Sequence, residues 1–228
     1  GWRRWRARRH QRRLQERLAA ERERRRAEQE RAARESGVAE LDPSRPPVDA
    51  DDLVLALCRA KAQLLEVKRA ELAGQVDRFY TRYAHVMELL AARFDRSELA
   101  FERSRSLIAD VCLGAVDTFT SMAAQARGVM GLDVDYVRRR LEQEGSRLSV
   151  EERIALKRRL ELIEETDRRL RRLVARNESA LTLLDDTAVA LARIETGRPQ
   201  AALATDRALE ELRRFIEGAD RYSRQERR

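Results

Sequence analysis

Residues 149–195 read SVEERIALKRRLELIEETDRRLRRLVARNESALTLLDDTAVALARIE. Ser149-Val-Glu-Glu152 is a capping box: the hydroxyl and the carboxylate three residues on satisfy each other's orphan backbone N–H groups. No Gly or Pro follows before Gly197. Leu156, Leu160, Ile163, Leu170, Val174, Leu181, Leu184, Ala188 and Leu191 fall on one stripe with a seven-residue repeat. This predicts a helix of about 46 residues, or ~70 Å at 1.5 Å per residue. Two polar residues, Asp167 and Asn177, sit in the stripe, where a buried polar side chain costs stability and sets register. On that reading, Asn177→Leu should raise stability while losing a single oligomeric state.

The same pattern recurs towards the N-terminus. Leu65, Leu72, Phe79 and Val86 repeat every seven residues, and Val76, Tyr83 and Leu90 interleave, predicting one helix from near Asp49–Asp52 to about Phe94. Asp95 and Glu98 then mark a turn and a new helix start. The next helix, about 97–127, is the most apolar, with Phe101, Leu107, Ile108, Val111, Cys112, Val116, Phe119 and Met122. Its small residues Gly114, Ala115, Ala123 and Ala124 are expected to admit a close neighbour. A short helix is expected at 133–144, and a last one at 200–223 carrying Leu203, Leu209, Leu212, Phe215 and Ile216.

The predicted fold is therefore all-α: long antiparallel helices forming an elongated bundle or coiled coil. The predicted core includes Leu72, Val76, Phe79, Tyr83, Val86, Leu90, Ile108, Val111, Cys112 and Phe119. Composition agrees, since 39% of the 228 residues are charged, with only 9 Gly and 4 Pro, against roughly 25% charged in ordinary domains. The seams are longer than an intramolecular bundle needs, so self-association into a homo-oligomer is expected.

Charge is unevenly placed. Residues 1–36 hold fourteen arginines and six glutamates; the whole chain has 48 Lys+Arg against 40 Asp+Glu, so residues 37–228 balance at 34 and 34. The first 36 residues read as a projecting Arg/Glu-rich helical arm, laced by pairs such as Glu21–Arg25 and Glu30–Arg34. Residues 37–52, with Pro43, Pro46 and Pro47, read as a linker. Residues 53–223 form the bundle and 224–228 a frayed tail. Within the body, Arg138–Arg140, Arg158–Arg159 and Arg168–Arg172 read as matched by nearby glutamates.

Both tryptophans lie at the extreme N-terminus, in Trp2, Arg3, Arg4, Trp5, Arg6, Arg8, Arg9, Arg12 and Arg13. Tryptophan favours the bilayer interface, and arginine an anionic leaflet. An anionic membrane surface is the preferred partner. Nucleic acid is the alternative, gripped through phosphates and exposed bases. A third reading is a protein–protein adaptor that binds through the bundle.

Catalysis finds no support in the sequence. The two histidines, His10 and a half-buried His85, accompany no GxSxG, HExxH or P-loop pattern, and no Glu-x-x-His pair for a di-iron bundle. No metal or cofactor ligand set is expected. Cys58 and Cys112 read as buried free thiols, which suits a reducing cytoplasm. Leu107–Ala126, the most apolar stretch, is interrupted by Asp110 and Asp117, so no span across a membrane is expected. The expected protein is a non-enzymatic scaffold, cytoplasmic and peripheral at the inner membrane. Its Arg- and Ala-rich composition fits a GC-rich bacterial genome.

Overall fold

A computed structural model describes residues 37–144, 146–194 and 199–225, together with helical positions at Glu16, Ala20, Glu21, Glu23, Arg24 and Ala27. The chain divides into two units, Gly1–Glu40 and Leu41–Arg228. In the first, those six positions are helical and exposed. All that follows concerns the second.

Every regular element among the described residues is an α-helix: α1 (Asp52–Glu66), α2 (Ala70–Arg93), α3 (Leu99–Val129), α4 (Val134–Glu144), α5 (Val150–Ala192) and α6 (Pro199–Gln225). They pack as a bundle. The ten core residues expected from the sequence are all buried.

The helix expected to run unbroken to Phe94 is divided. Lys68 adopts a left-handed backbone with φ 60°, and the chain closes α1 with a Schellman motif. The Arg69 N–H donates to the Leu64 carbonyl at 2.9 Å, and the Lys68 N–H to the Leu65 carbonyl at 3.0 Å. Because α2 then sets off on its own axis, Leu65 drops out of the heptad seam and is 43% exposed. A lysine here carries a Cβ penalty that glycine lacks. Lys68→Gly is therefore expected to raise stability by about 1 kcal/mol, read as a higher urea midpoint at unchanged slope.

Helix α3 lies at the centre, packed against α1, α2, α5 and α6. Phe101, Ile108, Ala115 and Met122 repeat every seven residues, flanked by Val111 and Thr118 and by Cys112, Phe119 and Ala126, so a broad face is buried. Asp110 and Asp117 remain on the exposed face. By length and composition, the Leu99–Glu144 segment contains the one stretch among the described residues apolar enough to cross a membrane. Just under half of that stretch is buried, and its buried face is part of the bundle core. Ala115 and Ala123 are buried at helix contacts as expected, whereas Ala124 is exposed and a Cβ built on Gly114 would touch nothing within 4 Å.

Helices α2 and α5 run parallel, contrary to the expected antiparallel arrangement. Their polar partners advance together along both chains: Arg69 with Asp167, Gln75 with Val174 and Glu178, Arg82 with Asp185, and Arg93 with Ala192. From Gln75 onward the sequence separation stays between 99 and 103 residues. An antiparallel pair would show one index falling as the other rises. The chain returns to the same end through α3, whose Arg127 meets Glu66 at the foot of α1 at 3.2 Å. The Arg93 guanidinium also donates to the Ala192 carbonyl at 3.3 Å, capping the last turn of α5.

Helix α5 spans 43 residues behind the expected capping box, which is complete in both directions. Before Asp167 its partner is α4. Val137, Leu148 and Leu156, with Leu141 and Leu160, form a small core separate from the main one. Beyond Leu170 the stripe is filled by the chain's own helices. The seam that had suggested a second copy is thus occupied intramolecularly. In α6, Leu212 is buried and Phe215 and Ile216 partly so, whereas Leu203, expected on the apolar face, is 61% exposed.

Candidate functional site

Trp2, Arg3, Arg4, Trp5, Arg6, Arg8, Arg9, Arg12 and Arg13, together with His10, lie outside the described residues. What the structure places are the polar groups of the bundle, and three of their clusters are built rather than incidental.

The first joins Lys61 of α1 and Asp77 of α2. Lys61 is 5% exposed and Asp77 9%. The Lys61 ammonium donates to Asp77 Oδ1 at 2.8 Å, to Oδ2 at 3.0 Å and to the Leu41 carbonyl at 2.7 Å. The Leu41 N–H in turn donates to Asp77 Oδ1 at 2.9 Å. Leu41, itself buried, is therefore clasped by both backbone groups, so from Leu41 onward the expected linker is packed on the bundle. Tight turns follow: the Ser44 N–H donates to Asp42 Oδ1, and the Ala50 N–H to the Pro47 carbonyl. The signal for this cluster was present in the sequence, since Lys61 interrupts the apolar stripe of Leu57 and Leu64. A buried cation needs a buried anion, but the stripe could not name Asp77.

The second cluster is Asp51 and Tyr83. Asp51 caps α1 by accepting the Val54 N–H at 2.8 Å, and its other oxygen accepts the Tyr83 hydroxyl at 2.6 Å. Burial, then the Asp51 hydrogen bond and charge, push the Tyr83 hydroxyl well above its ordinary value. Tyr83 is thus a fixed donor that ties α2 to the start of α1.

The third contains Asn177. It is 1% exposed, and its Nδ2 donates to Gln75 Oε1 at 3.2 Å. The Gln75 amide donates to Glu178 Oε1 at 2.8 Å and to the Val174 carbonyl at 3.3 Å. Arg78 grips both Glu178 oxygens. Asn177 therefore sets the register of α5 against α2 inside one chain. Asp167 is different: its side chain is 41% exposed and meets Arg69 at 3.5 Å, at the edge of the seam. Replacing Asn177 with Leu leaves the Gln75 carbonyl buried without that donor. The expected result is a loss of about 1–3 kcal/mol in urea unfolding, opposite in sign to the gain expected from the sequence pattern.

Glu178 also makes stability depend on pH. Burial works to raise its carboxyl, but hydrogen bonds from Arg78 and Gln75 and the charges of Arg78 and Arg82 outweigh it and hold the group below the ordinary range. A depressed folded value means that the ionised form stabilises the fold. That stability is present above the unfolded value of about 4.3 and is lost as pH falls through the folded value. Glu178→Gln should flatten the acid limb of a stability–pH curve while also lowering the plateau. An unchanged acid limb would refute the assignment.

Among the described residues, the two cysteine thiols are both held in the neutral form. Cys112 is fully buried and burial pushes its thiol far up. Burial also raises Cys58, with Lys61 and Arg59 opposing. Both thiols are free and buried. His85 is exposed, where half-burial had been expected. Glu164 meets Arg138, Glu165 meets Arg169, and Asp185 meets Arg82, so these acids belong to ion pairs. No group of three or more His, Cys, Asp or Glu arranged to hold a metal occurs among the described residues. A shallow open groove between α5 and α6 is lined by Ser179, Thr182, Leu183, Glu211, Arg214 and Phe215.

The charge on α5 departs from the matched pattern expected of it. Asp167 and Glu178, which flank the run of arginines, are turned to Arg69 and Arg78 of α2. Glu165 pairs with Arg169. Arg168, Arg171, Arg172 and Arg176 are left with no ion pair among the described residues.

Comparisons with protein-family models, with curated proteins and with solved structures found no match. The class that the fold itself defines is an all-helical bundle that contains a parallel α2–α5 pair.

Proposed function

We propose that this protein is a non-enzymatic helical scaffold that attaches to an anionic membrane surface through its N-terminal arm. The observation that carries the reading is the segregation of charge and tryptophan. Fourteen of the arginines and both tryptophans lie in residues 1–36, while residues 37–228 are balanced. Seven arginines and two indole rings within thirteen residues combine Coulomb attraction to acidic headgroups with interfacial anchorage. The Glu/Arg alternation that follows favours a helical arm, held by i,i+4 pairs in place of a core. The heptad spacing of α2 and α5 supports treating their pairing as an intrachain coiled coil that stiffens the body. On this reading the protein is peripheral, at the cytoplasmic face of the inner membrane, and the bundle serves as a platform for protein partners.

Co-sedimentation with anionic and neutral vesicles at two salt concentrations tests this. The full chain is compared with a full-length variant carrying Trp2→Ala, Trp5→Ala and glutamine at Arg3, Arg4, Arg6, Arg8, Arg9, Arg12 and Arg13, with duplex DNA as competitor. Salt-sensitive binding to anionic vesicles that falls sharply in the variant is expected. Equal binding of the two proteins would overturn the arm's role. Displacement from vesicles by stoichiometric DNA would favour the nucleic-acid reading.

A further inference from the structure

The run Arg168-Arg-Leu-Arg-Arg-Leu-Val-Ala-Arg176 places five arginines in nine residues with no acid among them. Arg168, Arg172 and Arg176 recur every four residues, so they share one face of α5 over about 12 Å. Leu170 and Asn177, both buried, lie on the opposite side. The face is therefore turned outward, with Arg168, Arg171 and Arg172 exposed and Arg176 half-buried. The acids at helical spacing to Arg168 are engaged elsewhere, Glu164 with Arg138 of α4 and Glu165 with Arg169, and Arg172 and Arg176 have no acid three or four residues away. Among the described residues, Arg169 alone in this run has an acid, Glu165, as partner.

A line of guanidinium groups with no ion pair among the described residues calls for an extended anionic partner. We propose that this stripe is a second membrane contact, through which the bundle itself lies against acidic lipid headgroups. The choice of lipid over nucleic acid rests on the membrane reading of the arm, and on the shape of the stripe. It is a line along one helix face, with no aromatic side chain in the run on which a base could stack. Charges spaced every four residues along one helix face can all meet a flat charged plane at once. Each arginine close to an anionic leaflet strengthens binding about fivefold. The stripe is too small to hold the protein alone, and is effective once the arm has brought it near the surface.

The test uses four full-length proteins: unaltered, arm-neutralised as above, stripe-neutralised (Arg168→Gln, Arg172→Gln and Arg176→Gln), and both combined. Glutamine retains helix propensity, and matching helical circular dichroism and urea midpoints establish that the fold is kept. Binding to phosphatidylserine-containing vesicles at low salt is expected to weaken at least tenfold on stripe neutralisation. The arm-neutralised protein should keep residual binding that the combined variant loses. If the stripe variant binds as the unaltered protein does, and the combined variant as the arm variant does, the stripe is no membrane contact. If arm neutralisation alone changes nothing while stripe neutralisation does, the arm reading fails and the stripe stands. Stripe-dependent binding of duplex DNA that excludes vesicles would overturn the lipid assignment.

Discussion

Replacing Lys61 with methionine is expected to destabilise the bundle by about 3–5 kcal/mol, because it leaves the Asp77 carboxylate buried without its cation. Methionine fills similar space, so the loss would report charge and hydrogen bonding more than volume. The ammonium spans three acceptors at 2.7–3.0 Å, two on Asp77 and one on Leu41. Removing both charges, as Lys61→Met with Asp77→Leu, should cost less than the two single changes together, by about 2 kcal/mol or more in a double-mutant cycle. It should not return to the starting stability. The Leu41 N–H and carbonyl would both lose their partners, and each buried orphan costs about 1–3 kcal/mol. Proteolysis gives a local readout: the Lys61→Met protein should be cut around Leu41 before the bundle unfolds. Wild-type stability in Lys61→Met would mean that the pair is not formed in solution.

Phe119→Ala should be comparably damaging, at about 3–5 kcal/mol, which for a bundle of this size lowers the melting temperature by roughly 6–20 °C. Phe119 and Phe79 are both fully buried, and their rings meet edge to face with centroids 5.7 Å apart and planes at 86°. This pair joins α3 to α2, and α2 carries α5 through the Gln75 network, so the cavity would open where the packing of several helices depends on one ring. Phe119→Leu keeps most of the volume and should recover more than half of the loss. A loss under 1 kcal/mol for Phe119→Ala would show that the neighbouring helices collapse into the space.

Much of the bundle was legible from residues close together in the chain. The capping box at Ser149 and Glu152, the absence of breakers through α5 and the apolar spacing of α3 are local properties. They predicted helices that the structure places within a few residues of their expected ends. The core followed for the same reason, because a residue on the apolar stripe of a helix must be covered by something. Which element covers it is another matter. Leu65 continues the heptad in sequence yet faces solvent, because Lys68 turns the chain between it and Leu72.

The sequence by itself determined that this chain is helical, where most helices begin and end, which stripes are buried, and that its positive charge is concentrated in the first 36 residues. Each of these depends on neighbours within about a turn or two, or on composition alone. Only the tertiary structure decided that α2 and α5 run parallel, that Asn177 pairs with Gln75 inside one chain, that Lys61 meets Asp77, and that Arg168, Arg172 and Arg176 have no ion pair among the described residues. The acids beside those arginines look like partners in the sequence. Glu164, four residues before Arg168, is drawn to Arg138 of α4, and a contact between two helices has no trace in local spacing.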